Sequence, residues 1–273
     1  MSEHYAVIGN PVVHSRSPDI HTAFARQTAQ DIRYLRVLAP LDGFAAAVAM
    51  LRSEGARGAN VTVPFKEEAF RLANALSDRA RIAGAVNTLS FGSDGVLGDN
   101  TDGIGLVCDL VGNLKLAIAN KRLLLLGAGG AARGAIGPLL EQKPAALVIA
   151  NRTETRACEL IAEFTGKTPG KLASAAFSSL SGERFDIVIN ATAASLAGEV
   201  PRLPEGLFAA NTVAYDMMYA KGDTPFMAVA RAQGARVADG LGMLVEQAAE
   251  SFFLWRGLRP ATAPVLEALR RAL

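Results

Sequence analysis

Two hydrophobic rhythms alternate along the chain. Compact apolar runs rich in Val, Ile and Leu are separated by stretches whose apolar residues return every three or four positions, the signatures of buried strands and one-sided helices. In the first hundred residues the pattern predicts strands near 5–9, 33–38, 57–63 and 85–91, with helices near 17–28, 43–53 and 66–76. The stretch "FGSDGVLGDN" (91–100) predicts a hairpin turned on Asp94-Gly95. A second series opens with "KRLLLLGAGGAARGAIGPLLEQ" (121–142) and continues through strands in "AALVIANR", "FDIVINAT", "TVAYDMMY" and "ARVADG". "LGMLVEQAAESFFLWRG" (241–257) then reads as a helix apolar over much of its surface, with a shorter helix after Pro260. Strand–helix alternation of this kind predicts α/β architecture built on parallel sheets, here as two lobes.

The chain's 273 residues suffice for two modest domains, each with its own core. Half of them are hydrophobic and 20% charged, which excludes a disordered chain. A net charge of +2 without basic runs argues against a nucleic-acid partner. No apolar stretch approaches the ~18 residues needed to cross a bilayer, so no membrane partner is expected. Cys108 and Cys158 are too few and too distant for a disulfide scaffold or zinc site. With Met1-Ser2-Glu3-His4 leading directly into a strand rather than a signal-like segment, they read as reduced thiols of a cytoplasmic protein. His14 and His21 flank Pro18 with no acidic cluster beside them, and no metal is expected.

Composition leaves chemistry open; one turn narrows it. The apolar run Leu123–Leu126 enters Gly127-Ala128-Gly129-Gly130-Ala131-Ala132 and then a helix, matching G-x-G-x-x-[GA] in the order strand, loop, helix. Gly127 makes the tight turn, Gly129 lets the backbone approach a pyrophosphate, and Ala132 permits close packing of helix on strand. Free N–H groups at the helix start would hold the anion. This marks the second lobe as a Rossmann-type dinucleotide-binding unit. The next strand ends in Asn151-Arg152-Thr153, with Arg156 behind. Two guanidiniums and a hydroxyl suit a ribose 2′-phosphate, which favours NADP, whereas Glu154 is the carboxylate that NAD would require.

A second feature is harder to place. In "GANVTVPFKEEAF" (58–70), Lys66 opens a helix, where the macrodipole disfavours a cation. In "LGDNTDGIGL", Asp102 stands at another helix start, where capping alone would account for it. The stretches "YAVIGNPVVHSRSPDIH", "GANVTVPFKEEA", "AGAVNTL", "GDNTDGIG", "GAGGAARG", "NRT", "NAT", "YDMMY" and "ADGLGMLVEQAA" follow one another along nearly the whole chain. In that order and spacing they resemble the motifs of the shikimate dehydrogenase family, most nearly its bacterial, single-function, NADP-linked members.

The resemblance implies a reversible NADPH-dependent reduction of 3-dehydroshikimate to shikimate, in the pathway to chorismate and the aromatic amino acids. Lys66 is then the acid/base and Asp102 its orienting partner, which also accepts a substrate hydroxyl. Ser15 and Ser17 are expected to hold the substrate carboxylate, although Ser17 before Pro18 also reads as a helix cap. Thr62, Asn87 and Gln247 match positions that contact ring hydroxyls, and Tyr219 a substrate-side position. Thr192, Met217 and Gly240 match the nicotinamide side, and Asp78 a less conspicuous cofactor position. The implied domains are 1–101 with 241–273 for substrate and 102–240 for NADP, the terminal helices returning to the first lobe. Monomer and homodimer both remain open. Two departures stand out: Ala132 replaces a serine common among relatives, and "NATAASLAG" (190–198) places Ala193 and Ala194 where hydroxyls are usual.

Overall fold

The structure, a computed structural model, describes residues 2–164, 166, 170–192, 194 and 199–273, so Ala193 of the departing motif lies outside the described residues. The chain divides into two compact units, Met1–Gly105 with Leu244–Ala272, and Leu106–Met243. Asp102 therefore folds with the first unit. Helix α9 (Leu241–Arg256) begins in the second unit and continues in the first.

The first unit contains β1 (Glu3–Gly9), α1 (Ser17–Gln27), β2 (Ile32–Leu38), α2 (Phe44–Ser53), β3 (Ala56–Val61), α3 (Lys66–Leu72), β4 (Ala75–Leu76), α4 (Asp78–Ala83), β5 (Thr88–Gly92), β6 (Gly95–Asp99) and the start of α5 (Asp102–Val107). Its sheet runs β2-β1-β3-β5-β6-β4. Strands β1, β2 and β3 are mutually parallel, and β5 is antiparallel to both β3 and β6. The hairpin is present, with Ser93-Asp94 as its loop and Gly92 paired to Gly95. The expected helix over 66–76 is shorter. Ala73 turns extended, and Asn74 bonds both ways with Val96, donating its N–H and accepting at Oδ1, both at 2.8 Å. The chain then restarts as α4, capped by the Ser77 hydroxyl and ended by Gly84 at φ +62°. A single side chain that imitates a strand partner ends the helix early.

The second unit holds β7 (Arg122–Leu126), α6 (Gly130–Glu141), β8 (Ala146–Asn151), α7 (Glu154–Phe164), β9 (Leu172–Ala176), β10 (Ile187–Asn190), β11 (Val213–Asp216), α8 (Pro225–Ala232) and β12 (Arg236–Asp239). Its strands are all parallel in the order β12-β11-β10-β7-β8-β9. Counted from β7 this is the doubly wound order, whose direction reverses between β7 and β10. Leu123–Leu126 are wholly buried, as a strand covered on both faces requires, and each such leucine contributes roughly 1.5–3 kcal/mol. Elements beyond the sequence pattern include edge strand β9, whose "LASAA" is weakly apolar, the 3₁₀ turn Phe177–Leu180 after it, and a π-helical turn at Cys108–Asn113 continuing α5. The C-terminal helix α10 (Ala263–Ala272) belongs to the first unit.

Candidate active site

At one end of the first sheet, β1 and β3 finish side by side: Thr62 donates its N–H to the Ile8 carbonyl at 2.9 Å, and a Cβ on Gly9 would clash with the Thr62 methyl. The antiparallel strand β5 starts there, and β6 ends there with Thr88 opposite Asp99. The connections after β1, β3 and β6, with the first residues of the helices they lead into, and the residue before β5 thus supply Ser15 and Ser17, Thr62 and Lys66, Asp102, and Asn87. Parallel and antiparallel pairing together set this polar collection at one edge.

Lys66 finds its partner here. Its Nζ lies 2.6 Å from Asp102 Oδ2, with side-chain exposures of 16% and 7% respectively. Coulomb attraction to Asp102 replaces the favourable helix-end partner that a lysine lacks at this position. Burying both charges has a desolvation cost comparable to that attraction, so stability alone is a weak reason for the pair. Among the described residues Asp102 is the one hydrogen-bond partner of Nζ, which leaves two of the ammonium's three donors for another molecule. Asp102 is held from its other side: Asn87 Nδ2 donates to Oδ1 at 2.8 Å, and the Asp102 N–H donates to Asn100 Oδ1 at 3.1 Å. Gln247, from α9, reaches the same amide, with Oε1 3.3 Å from Asn87 Nδ2. An amine able to give or take a proton thus stands fixed beside an acid whose geometry is set independently.

Ser15 and Ser17 face one another, Oγ to Oγ, at 3.2 Å. Ser17 is not the helix cap. It is the first residue of α1, whose cap is Arg16 without a side-chain bond, so the hydroxyl is directed elsewhere. Arg36 of β2 grips the Ser15 carbonyl through Nε and Nη2 at 2.9 and 2.6 Å, which fixes the turn. Thr62 is half-buried in the connection between β3 and α3. Tyr219 is half-buried in the second unit, after β11.

Beneath it lies His21, fully buried with neither ring nitrogen hydrogen-bonded among the described residues, its ring flat on Tyr34 at 4.3 Å. Burial, partly offset by the neighbouring Asn60 amide, holds its pKa down at about 3 against an ordinary 6.5. Below pH 6.5 the unfolded chain gains a proton that the folded chain refuses, so stability falls as pH drops toward 3, by about 1.4 kcal/mol per pH unit at the steepest. Urea unfolding at pH 7 and pH 5 should show the wild type losing about 2 kcal/mol more than His21→Phe. Equal losses would mean that His21 protonates inside the fold.

In the second unit, Gly127 adopts φ +110°, and a Cβ there would press within 3.3 Å of Ala191 and Thr192. The turn thus lies against the end of β10 at the point where the strand order reverses. Gly129 is the cap of α6, and a Cβ on it would meet nothing within 4 Å, leaving an open backbone face. Ala128, Gly130 and Ala131 surround that face half-exposed, while Ala132 is buried where α6 packs. Beyond β8, the Asn151 amide donates to the Thr153 carbonyl at 2.9 Å and shapes the turn. Arg152 and Arg156 are exposed there and have no ion-pair partner among the described residues. An open anion cradle and two uncommitted guanidiniums fit a phosphorylated dinucleotide. Thr192 donates to Asn190 Oδ1 at 2.7 Å. Gly240 lies so close to Met217 that a Cβ would overlap its carbonyl oxygen, which makes glycine obligatory there. Asp78 starts α4 in the first unit, where its side chain is 90% exposed and ion-paired with Arg81.

Several polar residues at the site receive no role from the sequence. Thr101, Asn60, Thr88 and Ser251 are buried and hydrogen-bonded around Asn87. Their signal in the sequence is a polar residue inside an apolar strand (Asn60) and a serine one helical turn after Gln247. Among the described residues no three His, Cys, Asp or Glu side chains group as a metal site, and no helix is long and apolar enough to cross a membrane.

A doubly wound sheet with this glycine turn, joined to a mixed sheet bearing a lysine–carboxylate pair among hydroxyls and amides, defines an α/β oxidoreductase of the nicotinamide-dinucleotide class. Family models described as "Shikimate dehydrogenase substrate binding domain", "Shikimate / quinate 5-dehydrogenase" and "Shikimate 5'-dehydrogenase C-terminal domain" match residues 7–89, 110–198 and 240–270. The chain is 61% identical to a shikimate dehydrogenase (NADP(+)) of Nitrosospira multiformis, over 100% of this chain and 99% of that one. Among solved structures, an Ael1 enzyme from Pseudomonas putida is 47% identical with TM-score 0.91, covering 98% of each chain. Shikimate 5-dehydrogenase from Thermus thermophilus, solved in complex with NADP(H) and shikimate, is 32% identical with TM-score 0.87, covering 99% of this chain and 100% of that one. The chain belongs to the shikimate dehydrogenase family.

Proposed function

We propose that the chain interconverts 3-dehydroshikimate and shikimate using NADPH and NADP⁺, with Lys66 as the acid/base and Asp102 as its orienting partner. When bound, NADPH supplies the hydride that reduces the C3 carbonyl carbon. As an ammonium, Lys66 donates a proton to the carbonyl oxygen as that oxygen gains charge, and the amine recovers the proton in the reverse direction. Asp102 keeps Nζ aimed and accepts from a neighbouring hydroxyl. Ser15 and Ser17 hold the carboxylate, Thr62, Asn87 and Gln247 the ring hydroxyls, and Tyr219 approaches from the substrate side. The lobe of residues 1–101 and 241–273, with Asp102 folded into it, serves the substrate, and the remainder of 102–240 the cofactor. Gly127–Ala131 take the pyrophosphate; Asn151, Arg152, Thr153 and Arg156 take the adenosine end with its 2′-phosphate; Thr192, Met217 and Gly240 flank the nicotinamide, with Asp78 an auxiliary contact. The protein works in the cytoplasm as a monomer or homodimer.

The observation that carries this assignment is the 2.6 Å Lys66–Asp102 contact, with Asp102's second oxygen held by Asn87. Quinate is the competing substrate, since it adds a hydroxyl on the carboxylate-bearing carbon beside Ser15 and Ser17. Nicotinamide absorbance with shikimate or quinate, each with NADP⁺ or NAD⁺, discriminates them. The expected outcome is the highest kcat/KM for shikimate with NADP⁺; a higher value for quinate, or for NAD⁺, would replace the assignment.

A further inference from the structure

Behind the Lys66–Asp102 pair lies a buried line of polar side chains of which the proposed chemistry uses Asn87 alone. It starts at Tyr34, whose hydroxyl lies 2.6 Å from Asn60 Oδ1. Asn60 Nδ2 reaches the Asn87 carbonyl at 3.2 Å and Ser251 Oγ at 3.0 Å. Ser251 Oγ is 2.8 Å from Thr88 Oγ1, which lies 2.9 Å from Asn87 Oδ1. Asn87 Nδ2 then donates to Asp102.

Two backbone groups fix the direction of this line. The Thr101 N–H, which can only donate, is 2.8 Å from Asn87 Oδ1. That atom is therefore the oxygen, and the amide's nitrogen must face Asp102. The Asn87 carbonyl can only accept, so it fixes Asn60 with its nitrogen toward Asn87 and its oxygen toward Tyr34. Tyr34 is then a donor, and burial, pushing its pKa well above the ordinary value, keeps it one. The His21 ring, stacked within 5° of parallel, holds the phenol in place. With both amides fixed, Ser251 accepts from Asn60 and passes its own proton toward Thr88, or to the Gln247 carbonyl at 3.1 Å. With the Ser251 proton on Thr88, successive donors point toward the carboxylate, and in a dry interior such bonds polarise one another.

We propose that Ser251, backed by Asn60 and Tyr34, is a positioning residue that sets the Asn87 amide and through it the aim of Asp102 at Lys66. This rests on the proposed dehydrogenation. Ser251 touches neither Lys66 nor Asp102; it also lies 3.2 Å from Thr101 Oγ1 and 3.1 Å from the Gln247 carbonyl, so coupling to Asn87 is what separates this role from an effect through Gln247.

The test is a double-mutant cycle on the full chain. Ser251→Ala should lower kcat with shikimate about 5- to 20-fold, the loss of one or two buried hydrogen bonds, while leaving KM for NADP⁺ within about twofold. Ser251→Thr, which keeps the hydroxyl, should recover most of the rate. On an Asn87→Ala background, Ser251→Ala should cost less than about twofold more. A purely structural serine would lower Tm in both backgrounds and multiply through the cycle. No loss in the wild-type background, or a fully multiplicative loss with Asn87→Ala, overturns the inference; should Ser251→Ala fail to fold, Tyr34→Phe takes its place in the cycle with the same criteria. A wild-type protein without shikimate turnover would instead defeat the proposed function.

Discussion

Replacing Lys66 by alanine should lower kcat by about 10²–10⁴ in both directions while NADPH binding and the fold persist. The proton has one well-placed carrier: Nζ is anchored to Asp102 and retains two donors for a reacting oxygen. The truncation also leaves Asp102 buried with one oxygen unpaired, so substrate affinity should fall along with turnover. Lys66→Arg separates the two effects. A guanidinium restores the positive charge beside Asp102 but does not give up its proton at working pH. Shikimate binding, followed by calorimetry, should recover in Lys66→Arg while kcat stays low. Recovery of both would reduce Lys66 to a charge that holds substrate, and the proton would have to come from another group.

The double variant Arg152→Ala with Arg156→Ala should raise KM for NADPH about 10²-fold, each lost charge-assisted contact contributing about 1.5 kcal/mol at an exposed site. KM for NADH should hardly move, because the difference between the two cofactors is the 2′-phosphate. The prediction follows from what these side chains lack: neither has an ion-pair partner among the described residues, although both stand at the end of β8 where the adenosine ribose falls in doubly wound folds. Exposed Glu154 lies between them in sequence and would be left to accept from a free ribose hydroxyl. Equal losses with both cofactors would place the arginines on the pyrophosphate or in a structural role.

Legibility in the sequence follows how local each physical cause is. The β7–Gly127–α6 turn can be read directly, since glycine's backbone freedom and the order of elements suffice. The expectation of NADP rests on Arg152 and Arg156, which adjoin a recognisable strand end. The pairing of Lys66 with Asp102 cannot be derived from spacing. It depends on β3, β5 and β6 bringing two distant loops to one sheet edge, and only family resemblance supplies it. The expected helix over 66–76 overshoots because its ending depends on Asn74 meeting Val96, a contact across the sheet, although the local signs Ser77 and Gly84 are present. Asn60, Thr88 and Ser251 escape a sequence reading because their partners lie on other elements and nothing local hints at them. The π-helical turn at Cys108–Asn113 has no compositional signature. It buries Asp109 against the Tyr215 hydroxyl at 2.7 Å, a contact set wholly by tertiary packing.

The most direct test is a crystal structure of the wild-type chain with shikimate and NADP⁺ bound. The Lys66 Nζ should lie within about 3.2 Å of the C3 oxygen, the distance a proton carrier requires, with Asp102 still in contact with Nζ. A C3 oxygen addressed by a different side chain, with Nζ directed to the carboxylate or to solvent, would contradict the account.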